Sequence, residues 1–162
     1  MRQKLRNFLL VLFFISSGFP GSAQDLDSTV LTISGKIASG SPADFTIHML
    51  EELPQERIET TTPWHDGKVS FVGVPLEKLM KHIGANGSEA AVTALNDYRS
   101  VIPLTDFETN HPILAYKYNG KYMSIRDKGP LFIIYPFDDH PDLKTELIYS
   151  RSVWQVRSIE IE

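Results

Sequence analysis

The chain of 162 residues contains no cysteine. Without cysteine it can form no disulfide bond, no metal site made of thiolates and no lipid-modified amino-terminal cysteine. The stability of the folded protein must therefore come from packing alone.

Long apolar runs are also scarce, and the longest lies near the amino terminus. Basic residues precede it, the run FLLVLFFI covers residues 8–15, and small residues follow up to Ala23. Such a run is too short to cross a bilayer, and the pattern is typical of a secretory signal peptide. We predict a signal peptide over residues 1–23 and one exported, periplasmic domain over residues 24–162, with no membrane insertion after cleavage. A retained membrane anchor is less favoured because Ser, Gly and Pro follow the run.

Positive charge is in deficit. The whole chain has 16 Lys and Arg against 20 Asp and Glu, a formal charge of -4. The segment after residue 23 keeps 13 of the basic and all 20 acidic residues, a formal charge of -7. Nucleic acids and anionic lipids reward clustered Lys and Arg, so neither is expected as the main partner.

Alternating apolar residues dominate the rest of the chain. LTISGKI alternates with a period of two, Asn119-Gly120 separates two alternating runs as in a β-hairpin, and VWQVRSIEI reads as a closing strand. LFIIYP is apolar throughout, so we expect it centrally in a sheet. PLEKLMKHIGANG is the clearest helix, ending at Gly84. The predicted fold class is α+β, a β-rich domain of mixed sheet with few short helices.

Catalytic and metal motifs are missing. The sequence contains no Gly-x-Ser-x-Gly turn and no phosphate-binding loop, so no nucleophile is evident. The histidines show no metal-ligand spacing, and the acidic segment around His140 is interpreted as a solvated loop. We therefore predict no catalytic residue and no metal site.

Polar and aromatic residues lie between or just before several predicted strands, at positions that form the rim of a sheet, where ligands commonly bind. They are Asn96, Asp97, Tyr98 and Arg99; Arg126, Asp127, Lys128 and Gly129; and Tyr149, Arg151 and Trp154. Such a set suits a flat heterocycle: Asp97 can accept from an amidine-like edge while Trp154 or Tyr98 stacks on the ring. Simpler interpretations stay open, with Asp97 in a turn, Trp154 in the core, and Arg126 with Asp127 as a surface ion pair.

Several longer segments resemble a known family. They are LTISGKI, FVGVPLEKLM, ALNDYRSVIPLTD, ILAYKYNGKYMSIRDKGPLFIIYPFDD and YSRSVWQV. Together they resemble the molybdopterin-binding domain of the sulfite-oxidase type, in its small, exported, single-domain branch, over about residues 31–161. The resemblance implies a β-rich mixed-sheet domain of that type.

Enzymes of this family hold molybdenum through a cysteine thiolate that shortly precedes an apolar segment ending in Ile-Pro. Matching that pattern to this chain places Ala94 at the cysteine position. A methyl group cannot ligate a metal, so the resemblance implies that molybdenum and oxo-transfer catalysis are lost while a pterin-shaped pocket remains.

Some small exported relatives are understood to bind reduced pterins and to report this to a membrane-bound cyclic-di-GMP enzyme. The resemblance therefore implies a periplasmic pterin-binding sensor whose partner is the periplasmic region of a diguanylate cyclase or phosphodiesterase. A molybdopterin-dependent oxidoreductase or its accessory subunit is the alternative, and an interaction module with a collapsed pocket is the third interpretation.

The expected ligand-binding set combines ring stacking, polar pairing and positive charge. Trp154 and Tyr98 are expected to stack on the ring, and Asp97 and Asn96 to pair with its polar edge. Arg126 and Lys128 are expected to hold its side chain or a phosphate. The complete predicted set is Asn96, Asp97, Tyr98, Arg99, Arg126, Lys128, Tyr135 and Trp154.

Overall fold

A computed structural model describes residues 25–162. The predicted signal peptide over residues 1–23 lies outside the described residues. Within residues 25–162, the helices are all too short or too polar to cross a membrane.

The described chain forms ten strands and four short helices, which confirms the predicted β-rich α+β class. The strands are β1 Thr29–Gly35, β2 Ala43–Thr46, β3 Glu56–Thr62, β4 His65–Pro75, β5 Glu89–Ala94, β6 Arg99–Pro103, β7 Ile113–Tyr118, β8 Lys121–Tyr122, β9 Phe132–Ile134 and β10 Val156–Ile161. The helices are α1 Ile47–Glu51, α2 Leu76–Ile83, α3 Leu104–Asn110 and α4 Glu146–Arg151.

The strands form two sheets. In the first, the order is β2-β1-β10-β5-β6, with β1 and β10 parallel and the other neighbours antiparallel. The second has the order β3-β4-β7-β8, and β9 also pairs with β7. The last strand, β10, thus lies in the middle of the first sheet, which brings Val156 opposite Ala94.

Two apolar clusters fill the interior. The larger contains Ile33, Val92 and Ile159 of the first sheet together with residues of all four helices. The smaller contains Phe71, Ile113 and other residues of the second sheet. Trp64 packs against both clusters, so it lies where they meet.

Local sequence signals locate most turns correctly. Gly84 ends α2 in the left-handed conformation with φ 61°, and Asn119 and Gly120 form the predicted hairpin with φ values of 46° and 79°. The Asp66-Gly67 pair alone predicts a tight turn before residues 68–74. Instead Thr62 pairs with His65, so the chain reverses through Pro63 and Trp64, and Asp66-Gly67 lies within β4.

The prediction that LFIIYP lies centrally in a sheet is wrong. Its strand, β9, pairs with β7 and otherwise makes only a single bridge from Phe132 to Trp154 among the described residues. The segment is apolar because both of its faces are covered: Phe132 belongs to the smaller core cluster and Ile133 to the larger one.

Candidate functional site

A tight turn joins β5 to β6. The Ala94 N–H donates to the Tyr98 carbonyl at 2.9 Å, and the Asp97 N–H donates to the Ala94 carbonyl at 3.1 Å. The Asn96 side-chain oxygen accepts from the Tyr98 N–H at 3.1 Å. Asp97 takes the left-handed conformation with φ 65°, which Asn and Asp tolerate better than other side chains. The Asn-Asp pair thus fixes the direction in which the turn presents its side chains.

An aromatic wall faces this turn, built around Trp64 at the β3–β4 turn. Its ring lies 5.9 Å from that of Trp154 at 71° and 5.8 Å from that of Tyr149 at 80°, both edge-to-face arrangements. Phe132 lies behind both indoles, 5.4 Å from Trp64 and 6.2 Å from Trp154. These contacts hold the two indoles at a fixed angle.

The turn and the aromatic wall enclose a cavity of about 280 Å³. Its lining consists of Trp64, Ala94, Asn96, Tyr98, Tyr149, Ser150, Ser152, Val153 and Trp154. None of these residues carries a carboxylate, and four are aromatic. The volume approaches the lower end of the range of about 300–1,000 Å³ found for ligand pockets. We name it the aromatic pocket.

A positive charge lies over one ring of the aromatic pocket, and hydrogen-bonding groups belong to its wall. The Lys128 ammonium is 5.0 Å from the centre of the Trp154 ring. The Tyr98 hydroxyl donates to the Ser150 backbone carbonyl at 3.0 Å, which joins the β5–β6 turn to α4. Asn96 keeps its side-chain NH₂ for a further acceptor, because its contact with Tyr98 uses the oxygen.

The structure brings three of the predicted ligand-binding residues to this pocket, and a fourth lies against one of its rings. Asn96, Tyr98 and Trp154 line it, and Lys128 lies against the Trp154 ring. Ala94 also lines it and is fully buried, so its methyl group forms part of the wall.

Three predicted residues lie elsewhere. Asp97 turns away from the pocket and binds Arg157 of β10 at 2.6 Å, because its place in the turn directs it to the other side. Arg99 forms an ion pair with Glu162 on the exposed face of the first sheet. Arg126 is exposed in a short 3-10 turn and does not line the pocket.

Tyr135 also lies away from the pocket, in the core. It is fully buried, and its hydroxyl donates to the Asp106 carboxylate. Asp106 further accepts from Arg151 at 3.0 Å and from Asn110 at 2.7 Å. Burial and the hydrogen bond to Asp106 raise the pKa of Tyr135 far above its usual value. Tyr135 therefore has a structural role: it links the end of β9 to α3 and, through Asp106, to α4.

The sequence reasoning missed Trp64, Ser150, Ser152 and Val153 as pocket residues, and included Tyr149 only as a residue at the sheet rim. The serine-rich sequence at the end of α4 contains no pattern that indicates a ligand site. Trp64 lies at a hairpin turn, where an aromatic residue often faces solvent. A large apolar residue at a turn tip is the one clue that could have marked it.

A histidine adjoins the back of the pocket. The His65 ring stacks on Tyr118 with centres 4.9 Å apart, and its Nδ1 lies 3.0 Å from the Thr62 hydroxyl. Burial and then the charge of Lys128 lower the pKa of His65, while Asp127 acts in the opposite direction. His65 therefore favours the neutral state in the folded protein.

The chemistry of the pocket fits a flat ring and not a thiolate-held metal. The position expected for the thiolate carries the Ala94 methyl group, which has no donor atom. In the described residues 25–162, His, Asp and Glu form no group of three that could hold a metal ion. Aromatic faces, an amide and an ammonium are groups that bind a planar heterocycle.

Comparison with known proteins agrees with the sequence resemblance. No curated protein matches the chain. The sequence model of one family, described as the oxidoreductase molybdopterin-binding domain, matches residues 19–137, well over half of the chain. That range includes Trp64, Ala94 and the β5–β6 turn, whereas the pocket residues of 149–154 follow it. The chain therefore belongs to the oxidoreductase molybdopterin-binding domain family.

Proposed function

We propose that this domain binds a pterin in the aromatic pocket without a protein-held molybdenum, and that it acts as a periplasmic ligand sensor. The observation that supports this most directly is the position of Ala94. It places a methyl group on the wall of the aromatic pocket, at the position where the family resemblance places the metal-ligating cysteine, and the aromatic walls remain in place.

Trp154 and Tyr98 supply the surfaces for the ring. The edge-to-face contacts of Trp154 with Trp64 and Phe132 restrict its motion before any ligand arrives. Pre-organised aromatic side chains lose little conformational freedom on binding. Stacking of this kind adds about 0.5–1.5 kcal/mol beyond the burial of apolar area.

Of the two residues predicted to pair with the polar edge of the ring, Asn96 remains and Asp97 does not. A pterin presents adjacent donors and acceptors, and a side-chain amide can serve both kinds of group. Asp97 is paired with Arg157 on the other side of the turn and is excluded from this role.

Lys128 gives the pocket a preference for ligands with an acidic substituent. Its ammonium lies beside Trp154, while carboxylates are missing from the pocket lining. A phosphate or carboxylate on the ligand would meet a favourable charge at this edge. Arg99 is paired with Glu162 instead, and within residues 25–162 neither Arg99 nor Arg126 lines the pocket or lies over one of its rings.

The proposed partner is the periplasmic region of a membrane-bound diguanylate cyclase or phosphodiesterase. This rests on the predicted export, on the acidic character of the chain and on the resemblance to small exported relatives. The alternative, a molybdopterin-dependent oxidoreductase or its accessory subunit, requires a metal held by the cofactor's dithiolene alone. Measurement of molybdenum in the purified protein distinguishes the two, because one metal per chain would favour the enzyme.

Tryptophan emission tests pterin binding directly. Both tryptophans of the chain line the aromatic pocket, so a ligand there must change most of the indole signal. We expect saturable quenching by tetrahydrobiopterin and a weaker response to adenine. Trp154→Leu should weaken binding about 2- to 12-fold, the equivalent of the stacking energy of about 0.5–1.5 kcal/mol.

Leu147→Ala is a matched control, since Leu147 is an exposed apolar residue of α4 that does not line the pocket. It should bind tetrahydrobiopterin like the unmodified protein. An unchanged emission spectrum at millimolar tetrahydrobiopterin, together with no pterin released on denaturing the purified protein, would overturn the proposed function.

A further inference from the structure

The hydroxyl groups of three pocket residues have already used their hydrogens inside the protein. The Tyr98 hydroxyl donates to the Ser150 backbone carbonyl at 3.0 Å. The Ser150 hydroxyl donates to the Leu147 carbonyl at 2.7 Å. The Ser152 hydroxyl donates to the Ile148 carbonyl at 3.0 Å. Each hydroxyl has a single hydrogen, so these three oxygens can only accept a further hydrogen bond from a ligand.

The side-chain amide of Asn96 is held in one orientation. Its oxygen accepts from the Tyr98 N–H at 3.1 Å, and an NH₂ group in that place could not accept, so the bond fixes which end of the amide is which. A carbonyl oxygen can accept two hydrogen bonds, so this oxygen keeps one free position beside the NH₂ group. Among the described residues that line the pocket, Asn96 is the one side chain that offers a donor and an acceptor on neighbouring atoms.

An amide and a carboxylate recognise different parts of a pterin ring. The ring carries an N3–H between a 2-amino group and a 4-oxo group. A carboxylate only accepts, so it pairs with two neighbouring donors, the N3–H and the 2-amino group. An amide pairs with a donor next to an acceptor, which on this ring are the N3–H and the 4-oxo group. The second pair is also present when an oxygen replaces the 2-amino group, as in a pteridine-2,4-dione.

The nearest carboxylate in sequence cannot take part. Asp97 follows Asn96 directly, but it pairs with Arg157 at 2.6 Å and does not line the pocket. Recognition of the ring by the β5–β6 turn therefore depends on the neutral amide of Asn96.

We propose that Asn96 is the specificity-determining residue of the aromatic pocket and that it reads the N3–H and 4-oxo groups of the ring, leaving the 2-amino group unread. This inference rests on the proposed pterin binding. The ligand class of the pocket is then wider than the pterins: it includes pteridine-2,4-diones, which share the same pair of groups.

Two ligands that differ only at position 2 test this assignment. 6,7-Dimethylpterin carries an amino group there, and 6,7-dimethyllumazine carries an oxygen. We expect the unmodified protein to bind the two with dissociation constants within about threefold of each other in isothermal titration calorimetry at neutral pH. In the ¹⁵N-labelled protein, the Asn96 side-chain NH₂ signals should shift with both ligands.

The Asn96→Asp variant should change the specificity. Aspartate also accepts from the backbone two residues on, so the bond to the Tyr98 N–H and the turn are kept. The new carboxylate meets two donors on 6,7-dimethylpterin, but it meets the 2-oxo group of 6,7-dimethyllumazine. We expect the variant to bind 6,7-dimethylpterin about 5- to 150-fold more tightly than 6,7-dimethyllumazine.

Asn119 provides the matched control. Its side-chain oxygen also accepts from a backbone N–H, that of Ser70 at 3.0 Å, and it is exposed in a turn of the second sheet outside the pocket lining. Asn119→Asp should leave the ratio of the two dissociation constants unchanged, and the Asn119 NH₂ signals should stay in place when either ligand is added.

Several results would overturn the inference and leave pterin binding intact. They are a more than tenfold preference between the two ligands in the unmodified protein, Asn96 NH₂ signals that stay in place at saturation, an unchanged ratio in a folded Asn96→Asp protein, and binding of tetrahydrobiopterin without binding of either dimethyl compound. If the unmodified protein binds none of the three compounds, the proposed function fails as well.

Discussion

The Tyr98 hydroxyl donates to the backbone carbonyl of Ser150 at 3.0 Å, although the two residues are 52 positions apart in sequence. The bond connects the β5–β6 turn to α4, and both residues line the aromatic pocket. Tyr98 is 46% exposed, so it also forms part of the boundary between the pocket and solvent. A ligand that enters on this side must displace Tyr98 or pass it.

We predict that Tyr98→Phe makes the pocket easier to enter and to leave. The substitution keeps the ring and removes only the hydrogen bond, which contributes about 0.5–1.5 kcal/mol. Association and dissociation of tetrahydrobiopterin, measured by stopped-flow tryptophan emission, should both accelerate by about 2- to 12-fold. Tyr118→Phe is the control, since Tyr118 does not line the pocket. Equal rates in all three proteins would show that the Tyr98 bond does not restrict access.

A second prediction separates the structural tyrosine from the ligand-binding ones. Tyr135→Phe removes the hydrogen bond to the buried Asp106 carboxylate, and bonds to charged groups contribute about 1.5–3 kcal/mol. The free energy of unfolding in urea should fall by that amount, while the affinity for tetrahydrobiopterin stays unchanged.

Tyr149→Phe is the matched comparison for Tyr135→Phe. Its ring lines the pocket, and its hydroxyl makes no hydrogen bond within residues 25–162. Stability should therefore remain within about 0.5 kcal/mol of the unmodified protein. A Tyr135→Phe protein with native stability and weakened pterin binding would return Tyr135 to the ligand-binding set.

The third prediction concerns the wall at Ala94. Ala94→Leu should fill part of the aromatic pocket and reduce the affinity for tetrahydrobiopterin by at least about tenfold. The free energy of unfolding should fall by about 1–3 kcal/mol at most, because the larger side chain extends into existing space. Isothermal titration calorimetry and urea unfolding measure the two quantities.

Ala91→Leu is the control for Ala94→Leu. Ala91 lies on the same strand, β5, but its side chain points to the opposite face of the sheet, since strand residues alternate. It should leave pterin affinity unchanged. Equal loss of binding in both variants would indicate a general disturbance of β5 and not occlusion of the pocket.

The fourth prediction is a loss of stability in mild acid. The pKa of His65 is lowered in the folded protein, chiefly by burial and also by the charge of Lys128. The unfolded chain then binds a proton more readily than the folded protein as the pH falls below about 6.5. The contribution of neutral His65 to the free energy of unfolding is therefore fully present above that pH. It is lost as the pH falls through the lowered pKa of His65.

His65→Phe removes this titration and keeps a ring beside Tyr118. Between pH 7.5 and pH 5.5, the unfolding free energy of the unmodified protein should decrease by more than that of the variant. The difference should stay below about 1 kcal/mol, because solvent partly screens the ring. Parallel curves for the two proteins would exclude His65 as a source of the acid sensitivity.

Local patterns predict much of this fold because local interactions decide the features concerned. Alternation places β1 and β10, and the Asn119-Gly120 pair fixes its hairpin through left-handed backbone angles. The position of β9 within its sheet cannot be predicted from local patterns. An apolar run shows that a strand is covered on both faces, but it does not show which strands lie beside it.

The pocket could be predicted only in part for a similar reason. Asn96 and Tyr98 follow a strand and Trp154 precedes one, and strand ends commonly carry ligand sites. The direction of a side chain within a turn depends on backbone angles, so the sequence could not show that Asp97 faces Arg157 while Asn96 faces the pocket. Trp64 reaches the pocket through the meeting of two sheets, a long-range contact without a local signal.

The central place of β10 in the first sheet governs when this domain can fold. Residues 156–161 separate β1 from β5, so the pairs β1–β2 and β5–β6 cannot join into one sheet until the chain has been made through Ile161. A polypeptide emerging from the ribosome would therefore lack the complete first sheet until late in synthesis. Such a delay would suit the proposed export, because a translocation channel receives an extended chain.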